Sequence, residues 1–352
     1  MKIVLFCENK YAIDILTPIH AAAEKEGGHD LLWYVHKKRI PDFPLKDSVV
    51  YTNDIQAVYD FKPEAVFVPG NIVPYYLSGV KLQVFHGYAA EKKDHWVIRR
   101  YFDTYFTQGP FFTKGFERLS KIYKDFEVLE TGWPRQDWIF QNLHTFDAER
   151  ERLLKENGRS KVVLYAPTFS PSLTSLPYMQ DAIVNLVRQR PEVLLLLKFH
   201  PLTPEEIKDA YREIAARTEG ILWIDDYVVT KYMLMSDAMI SDTSSTIYEF
   251  LLLDKPVITL RAVAKDLFWK NITDPDQLCE AYDEVMNNDM MKEKRRWVIE
   301  NYDPHLDGQV GHRMLEGARD YIRRHGVPTH RKVNLWRKYT SIKTFGRIKK
   351  SS

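Results

Sequence analysis

The run Asp242-Thr243-Ser244-Ser245-Thr246 places five small polar residues in succession, after the strand-like Asp237–Ile240 and before the helix-like Ile247-Tyr248-Glu249-Phe250-Leu251. A helix start leaves backbone N–H groups without intrahelical partners, and the macrodipole there favours negative charge. Hydroxyls added to such a start suit the oxygens of a phosphate. An ordinary cap needs one such residue, so five in a row point to phosphate binding. Two histidines close other apolar runs. His86 follows Leu82–Phe85 in His86-Gly87-Tyr88, and His200 ends Val193–Phe199 in Lys198-Phe199-His200-Pro201. Imidazole takes or gives a proton near neutral pH. Ala166-Pro167-Thr168-Phe169-Ser170 follows Val162–Tyr165, and Arg313 sits in Asp307-Gly308-Gln309-Val310-Gly311-His312-Arg313 at the start of a last long helical pattern. Each has a plainer reading: a strand-ending proline, a structural histidine, a solvated arginine. Their joint placement at strand ends favours a site.

The elements that must position these groups alternate along the chain. Strand candidates are Ile3–Cys7, Leu31–Val35, Ala65–Val68, Leu82–Phe85, Tyr105–Thr107 and Glu127–Leu129, then Val162–Tyr165, Val193–Phe199, Ile221–Ile224, Ala238–Ile240 and Val257–Leu260. Helical patterns lie between them, among them Tyr11–Glu26, Asp54–Tyr59, Met179–Gln189, Pro204–Arg217, Val228–Met235 and Thr246–Leu253. Such alternation predicts α/β architecture, with parallel sheets covered by helices on both faces. It occurs twice, on either side of the charged segment Asp147–Arg159. We therefore expect two doubly wound, Rossmann-like domains facing a cleft, over residues 1–155 and 156–327, with a basic tail at 328–352. In open parallel sheets ligands bind at the carboxyl ends of the strands, which is where the polar residues above fall.

A chain of 352 residues exceeds one ordinary core. Its cysteines, Cys7 and Cys279, suggest neither a disulfide framework nor a metal site, so a reducing cytoplasm is expected. Residues 3–7 are too short for a signal-peptide core, and no apolar stretch approaches the ~20 residues that cross a bilayer. Asp225-Asp226 reads as a solvated turn; no metal ligand is assigned, and dependence on a divalent ion is left open. No motif reads nucleic acid. Charge is uneven: residues 328–352 hold eight bases and no acid, so the rest of the chain carries −6. Within that tail Trp336, Tyr339, Ile342, Phe345 and Ile348 recur every three residues with bases between them. The pattern predicts a basic amphipathic segment lying on an anionic membrane surface; the plainer reading is an unstructured terminus.

Together, His86-Gly87-Tyr88 with Lys92, Tyr165–Phe169, Lys198–Pro201, Ser241–Pro256, and Asp307-Gly308 with Arg313 resemble the CDP-glycerol glycerophosphotransferase family. Its members build wall teichoic acid and related capsule or surface polymers. The resemblance runs over roughly residues 80–320. It implies a two-domain glycosyltransferase-B fold in an enzyme peripheral to the inner face of the cell membrane. It further implies transfer of a polyol phosphate from a CDP-activated donor to a hydroxyl of a lipid-linked acceptor, with release of CMP. On that basis His86 is the general base and His200 steadies the donor pyrophosphate or the departing CMP. Ser244, Ser245 and Thr246 hold phosphate oxygens, Thr243 lies near the nucleotide, Arg313 neutralises phosphate and Thr168 lines the cleft. Lys198, Asp242 and Glu249 complete the donor-binding set. The first domain would be the acceptor side and the second the donor side.

The sequence departs from the family pattern at Tyr88, where a Thr is usual, at Ser170, where a base is usual, and at Lys198, often Arg. With no long segment ahead of the first strand, single or short addition is expected rather than polymerisation. Competing readings are a sugar-nucleotide glycosyltransferase of the same fold, with Glu249 on the ribose, a non-hydrolysing sugar-nucleotide epimerase, and a non-catalytic lipid-binding protein. Donor screening separates the first from a CDP-polyol enzyme, the epimerase differs in requiring no polymer acceptor, and substitution of His86 tests the last.

Overall fold

The structure, a computed structural model, describes residues 1–88, 93–226, 228–264 and 266–349. Lys92 and Lys350 therefore lie outside the described residues. The chain divides into two compact units, one of residues 1–141 with 301–352 and the other of residues 142–300.

In the first unit the elements are β1 (Lys2–Cys7), α1 (Tyr11–Glu26), β2 (Asp30–Val35), β3 (Tyr51–Thr52), α2 (Ile55–Phe61), β4 (Ala65–Val68), β5 (Val80–Gln83), β6 (Thr104–Thr107), α3 (Pro110–Tyr123), β7 (Glu127–Glu130) and α4 (Arg135–Gln141). All strand pairs are parallel, in the order β3-β2-β1-β4-β5-β6-β7. Ile3 to Cys7 of β1 are wholly buried, as a central parallel strand covered on both faces requires. Helix α1 turns Ala12, Ile15, Leu16, Ile19 and Ala23 inward at three- and four-residue spacing.

The second unit holds α5 (Asp147–Glu156), β8 (Lys161–Tyr165), α6 (Gln180–Gln189), β9 (Val193–Leu197), α7 (Glu205–Arg217), β10 (Ile221–Trp223), α8 (Thr230–Met235), β11 (Ala238–Ser241), α9 (Thr246–Leu251), β12 (Val257–Leu260), β13 (Lys270–Ile272) and α10 (Leu278–Asn287). Its parallel sheet runs β10-β9-β8-β11-β12-β13. Helix α11 (Lys292–Tyr302) carries the chain back to the first unit, followed there by α12 (Val310–His325) and α13 (Leu335–Phe345).

This division differs from the expected domains in two places. Helix α5 belongs to the second unit because Arg150 pairs with Asp237 (2.8 Å), whose carboxylate also accepts the Val162 N–H at the start of β8. Residues 301–327 belong to the first unit because α12 packs on α1. A Cβ at position 311 would stand 2.7 Å from the Pro18 carbonyl oxygen, so the contact requires Gly311. The Asp137 carboxylate caps this helix, accepting from Val310 N (2.9 Å) and Gly311 N (2.8 Å).

The basic tail is also part of the first unit. Phe345 is buried, its ring edge-on to Phe6 at 5.2 Å, and Val333, Ile342 and Ile348 pack on the same core. Arg331 pairs with Asp103 (2.7 Å), and the Tyr76 hydroxyl donates to the Gly346 carbonyl (2.8 Å). The expected lipid-facing stripe is thus corrected. Ile342, Phe345 and Ile348 face protein, because a three-residue repeat drifts round a 3.6-residue turn. Leu335, Trp336 and Tyr339 remain outward, at 82, 68 and 56 % exposure. Among the described residues no helix is long and apolar enough to cross a membrane.

Candidate functional site

In the second unit strand order reverses between β8 and β11, and the crevice outside the carboxyl ends at such a point is where doubly wound sheets bind ligands. The loop after β8 and the hydroxyl turn after β11 are joined there by Asp242. One of its oxygens accepts from Thr168 N (2.9 Å) and Thr243 N (2.6 Å), the other from Ser175 N (2.8 Å) and Ser175 Oγ (2.9 Å). Asp242 is wholly buried. Burial raises its pKa, against the pull of those N–H and O–H donors. It was expected to touch the donor; with its oxygens engaged by protein donors, it instead fixes the shape of the turn.

Thr243, Ser244 and Thr246 are half-buried and Ser245 is exposed. Ser244 Oγ donates to Thr246 Oγ1 (3.0 Å), and Thr243 Oγ1 accepts from Val263 N (3.0 Å). Helix α9 is six residues long, which leaves little macrodipole. What the turn offers an anion is therefore its hydroxyls and backbone N–H groups. Glu249 is buried in the first turn of α9.

The loops after β8 and β9 meet through a ring stack of Phe169 on His200, with centroids 4.3 Å apart. His200 Nδ1 accepts the Leu202 N–H (3.1 Å), so the proton of its neutral ring sits on Nε2. Burial, then the charges of Lys198 and Lys208, lower its pKa. At neutral pH His200 is thus an uncharged N–H donor. Lys198 is buried, donates to the Phe199 carbonyl (3.2 Å), and has its pKa lowered mainly by burial. Thr168, Lys198, His200, Asp242, Thr243, Ser244, Ser245, Thr246 and Glu249 all lie in the second unit, and the bond from Thr168 N to Asp242 and the stack of Phe169 on His200 join the loop after β8 to the turn and to His200.

His86 and Arg313 lie in the first unit. His86 is exposed and follows Phe85, whose φ of 57° is the left-handed region, costly for a non-glycine residue. Its Nδ1 is 3.1 Å from the Pro69 carbonyl oxygen. A carbonyl only accepts, so Nδ1 carries the proton and the lone pair of the neutral ring is on Nε2, as a general base requires. The Tyr11 ring lies 5.3 Å from the imidazole. Nearby Glu8 is buried at the end of β1, next to the switch point between β1 and β4, with Arg39 3.6 Å away. A Cβ on Gly70 would meet the Glu8 carboxylate at 2.1 Å. Sequence reasoning missed Glu8, Tyr11 and Arg39; the strand-end rule applied to β1 would have found Glu8.

The departure at Tyr88 is structural. Its buried hydroxyl donates to Asp303 (2.6 Å) and accepts from Gln136 Nε2 (2.8 Å), and Asp303 also takes the Trp133 N–H (3.0 Å). Burial raises the Asp303 pKa to about 7. Arg313 donates to the Thr131 carbonyl (2.8 Å) and forms a two-pronged pair with Asp307 (2.7 and 3.0 Å), so its charge is already matched. Among the described residues no group of three or more His, Cys, Asp or Glu could hold a metal ion.

The profile of the family described as CDP-glycerol:poly(glycerophosphate) glycerophosphotransferase matches residues 10–317. The teichoic acid glycerol-phosphate primase of Bacillus subtilis (strain 168) is 24% identical over 169 residues, 45% of this chain and 41% of that protein. The teichoic acid ribitol-phosphate polymerase TarL of Staphylococcus aureus (strain NCTC 8325 / PS 47) is 25% identical over 229 residues, 59% of this chain and 39% of that protein. The chain spans about two fifths of the length of these relatives. Among solved structures, the wall teichoic acid polymerase TagF superposes with a TM-score of 0.67 at 17% identity, covering 92% of this chain and 89% of that one. The S. aureus MnaA–UDP structure gives the same TM-score at 14% identity, over 92% and 97%. These likenesses establish the fold as the glycosyltransferase-B type, two Rossmann-like units. The chain belongs to the CDP-glycerol:poly(glycerophosphate) glycerophosphotransferase family.

Proposed function

We propose that the chain transfers a polyol phosphate, glycerol- or ribitol-phosphate, from a CDP-activated donor to a hydroxyl of a lipid-linked glycan or surface-polymer acceptor, releasing CMP. One observation carries this reading: in a member of this family, the switch-point crevice of the second unit gathers the hydroxyl turn 243–246 and the N–H of a neutral His200. In the reaction the acceptor oxygen bonds to the phosphorus bearing the polyol, and the P–O bond to the CMP phosphate breaks. His86 Nε2 takes the hydroxyl proton. His200 Nε2–H and the hydroxyls of Ser244, Ser245 and Thr246 hold phosphate oxygens, since phosphoryl transfer depends chiefly on positioning and charge stabilisation. Arg313 joins only by exchanging Asp307 for phosphate. Work at the inner face of the cell membrane fits the outward Leu335, Trp336 and Tyr339 beside exposed Lys332, Arg347 and Lys349.

The test is CMP release from CDP-glycerol and CDP-ribitol, with UDP-sugars as the contrasting donors. His86→Ala should lose about 10²–10⁴-fold in turnover while keeping CDP affinity. Ser244→Ala with Ser245→Ala should weaken CDP binding in a folded protein. UDP-sugar turnover in place of CMP release, or full activity in His86→Ala, would sink the proposal.

A further inference from the structure

A second concave feature lies at the carboxyl edge of the first unit's sheet. Where β2 ends, His36, Lys37, Lys38 and Arg39 form one wall of a groove of about 550 Å³, and Lys343 from the last turn of α13 contributes to the other. The burial of Phe345 beside Phe6 and Tyr34 is what carries Lys343 there. Among the described residues no acid lines the groove. Arg39 is shared with Glu8. Lys37, Lys38 and Lys343 are exposed and, among the described residues, their side chains make neither an ion pair nor a hydrogen bond. His36 Nδ1 is buried there without a hydrogen-bond partner among the described residues.

Three ammonium groups around one depression repel one another, and an anion between them turns that cost into attraction. Lysine is a point-charge binder of phosphate oxygens. The groove also shares a sheet edge with His86. The intervening strands run β2-β1-β4-β5, so the ends of β2 and β5 are three strand spacings apart, about 14 Å.

We propose that this groove binds phosphate groups of the acceptor, a phosphodiester- or pyrophosphate-linked polyol chain, at a point removed from the hydroxyl that reacts at His86. This rests on the transfer reaction proposed above. It gives the first unit a subsite that selects acceptors by their phosphates.

The experiment is calorimetric binding of a synthetic glycerol-phosphate trimer to the full chain, without donor, at low and physiological salt. Wild type should bind with an affinity that falls as salt rises. Lys37→Ala, Lys38→Ala and Lys343→Ala combined should bind roughly tenfold more weakly, while the triple arginine variant retains binding and so reports that the fold is intact. CDP affinity should not change. Equal trimer affinity in wild type and the triple alanine variant overturns the proposal, as does no binding by wild type. Co-sedimentation with phosphatidylglycerol vesicles separates the other phosphate source. If the triple alanine variant loses vesicle binding but keeps the trimer, the groove is a lipid-headgroup site and the proposal fails. If wild type releases no CMP with any acceptor, yet the trimer still binds through these lysines, the transfer reading falls and the groove stands.

Discussion

Replacing Asp242 by Asn tests whether the donor-side turn is held by this carboxylate. The amide keeps one oxygen for the N–H groups of Thr168 and Thr243 and turns its NH2 on to Ser175 N, donor against donor. Ser175 Oγ also bonds the Tyr165 hydroxyl (2.9 Å), and either oxygen can donate, so Ser175 can rotate to accept from the new amide. The net loss is one charge-assisted bond, that of Ser175 N, whose N–H is left buried without an acceptor, at a cost of about 1.5–3 kcal/mol. Relief from burying a charge offsets part of this, since burial already raises the Asp242 pKa. We expect a net cost of about 2 kcal/mol, felt mainly in the loops that Asp242 joins. If all of it must be made up when CDP binds, affinity falls roughly 30-fold. Urea unfolding and CDP calorimetry on the same variant read both effects. Unchanged stability with CDP binding abolished would make Asp242 a ligand contact and refute the argument; no change in either would show that the four bonds are inconsequential.

Phe345→Ala should cost about 3 kcal/mol in urea unfolding, the low end for a buried phenylalanine near a domain edge; a loss under about 1 kcal/mol would mean that the tail is not core. Trp336→Ser with Tyr339→Ser should leave stability within about 0.5 kcal/mol and reduce sedimentation with phosphatidylglycerol vesicles; equal sedimentation would remove α13 as the membrane face. Asp303 has a folded pKa raised from 3.8 to about 7, so the folded protein keeps a proton that the unfolded chain has released between those values. Its contribution to stability therefore declines as pH rises from about 4 to about 7 and is flat above. Asp303→Asn should abolish that decline in unfolding curves measured across the window, and a retained slope would assign it to another group.

Most central strands were legible because burial on both faces makes them continuous apolar runs, as in Ile3–Cys7 or Val193–Leu197. The strand read at Leu82–Phe85 runs instead over Val80–Gln83. Its polar Lys81 and Gln83 are buried, satisfied by the carbonyls of Leu77, Pro69 and Gly70, which no local pattern reveals. β3 and β13 have two and three residues, too few for any periodicity. The return of residues 301–352 to the first unit rests on contacts such as Gly311 with Pro18, far apart in sequence. At the candidate site, strand-end reasoning put the hydroxyl turn directly after β11, and His200 and His86 fall three residues past β9 and β5. It did not separate Asp242, which shapes the turn, from its neighbours, because an acid spent on backbone N–H groups looks in sequence like an acid offered to a ligand.

The second unit is inserted in the first, between residues 141 and 301, and this bears on biogenesis. When a ribosome has made β1 to α4, the core around Phe6 and Tyr34 still lacks Phe345, and α1 still lacks α12. At about 5–20 residues per second, the roughly 160 residues of the second unit take about 8–32 s to appear, and that unit can close as soon as residue 300 has left the exit tunnel. During this interval the earlier half waits with apolar surface uncovered, a natural client for a chaperone. Nascent chains stalled just past that point should resist protease in the second unit and be cleaved in the first. The part of the chain made first would then be the last to fold.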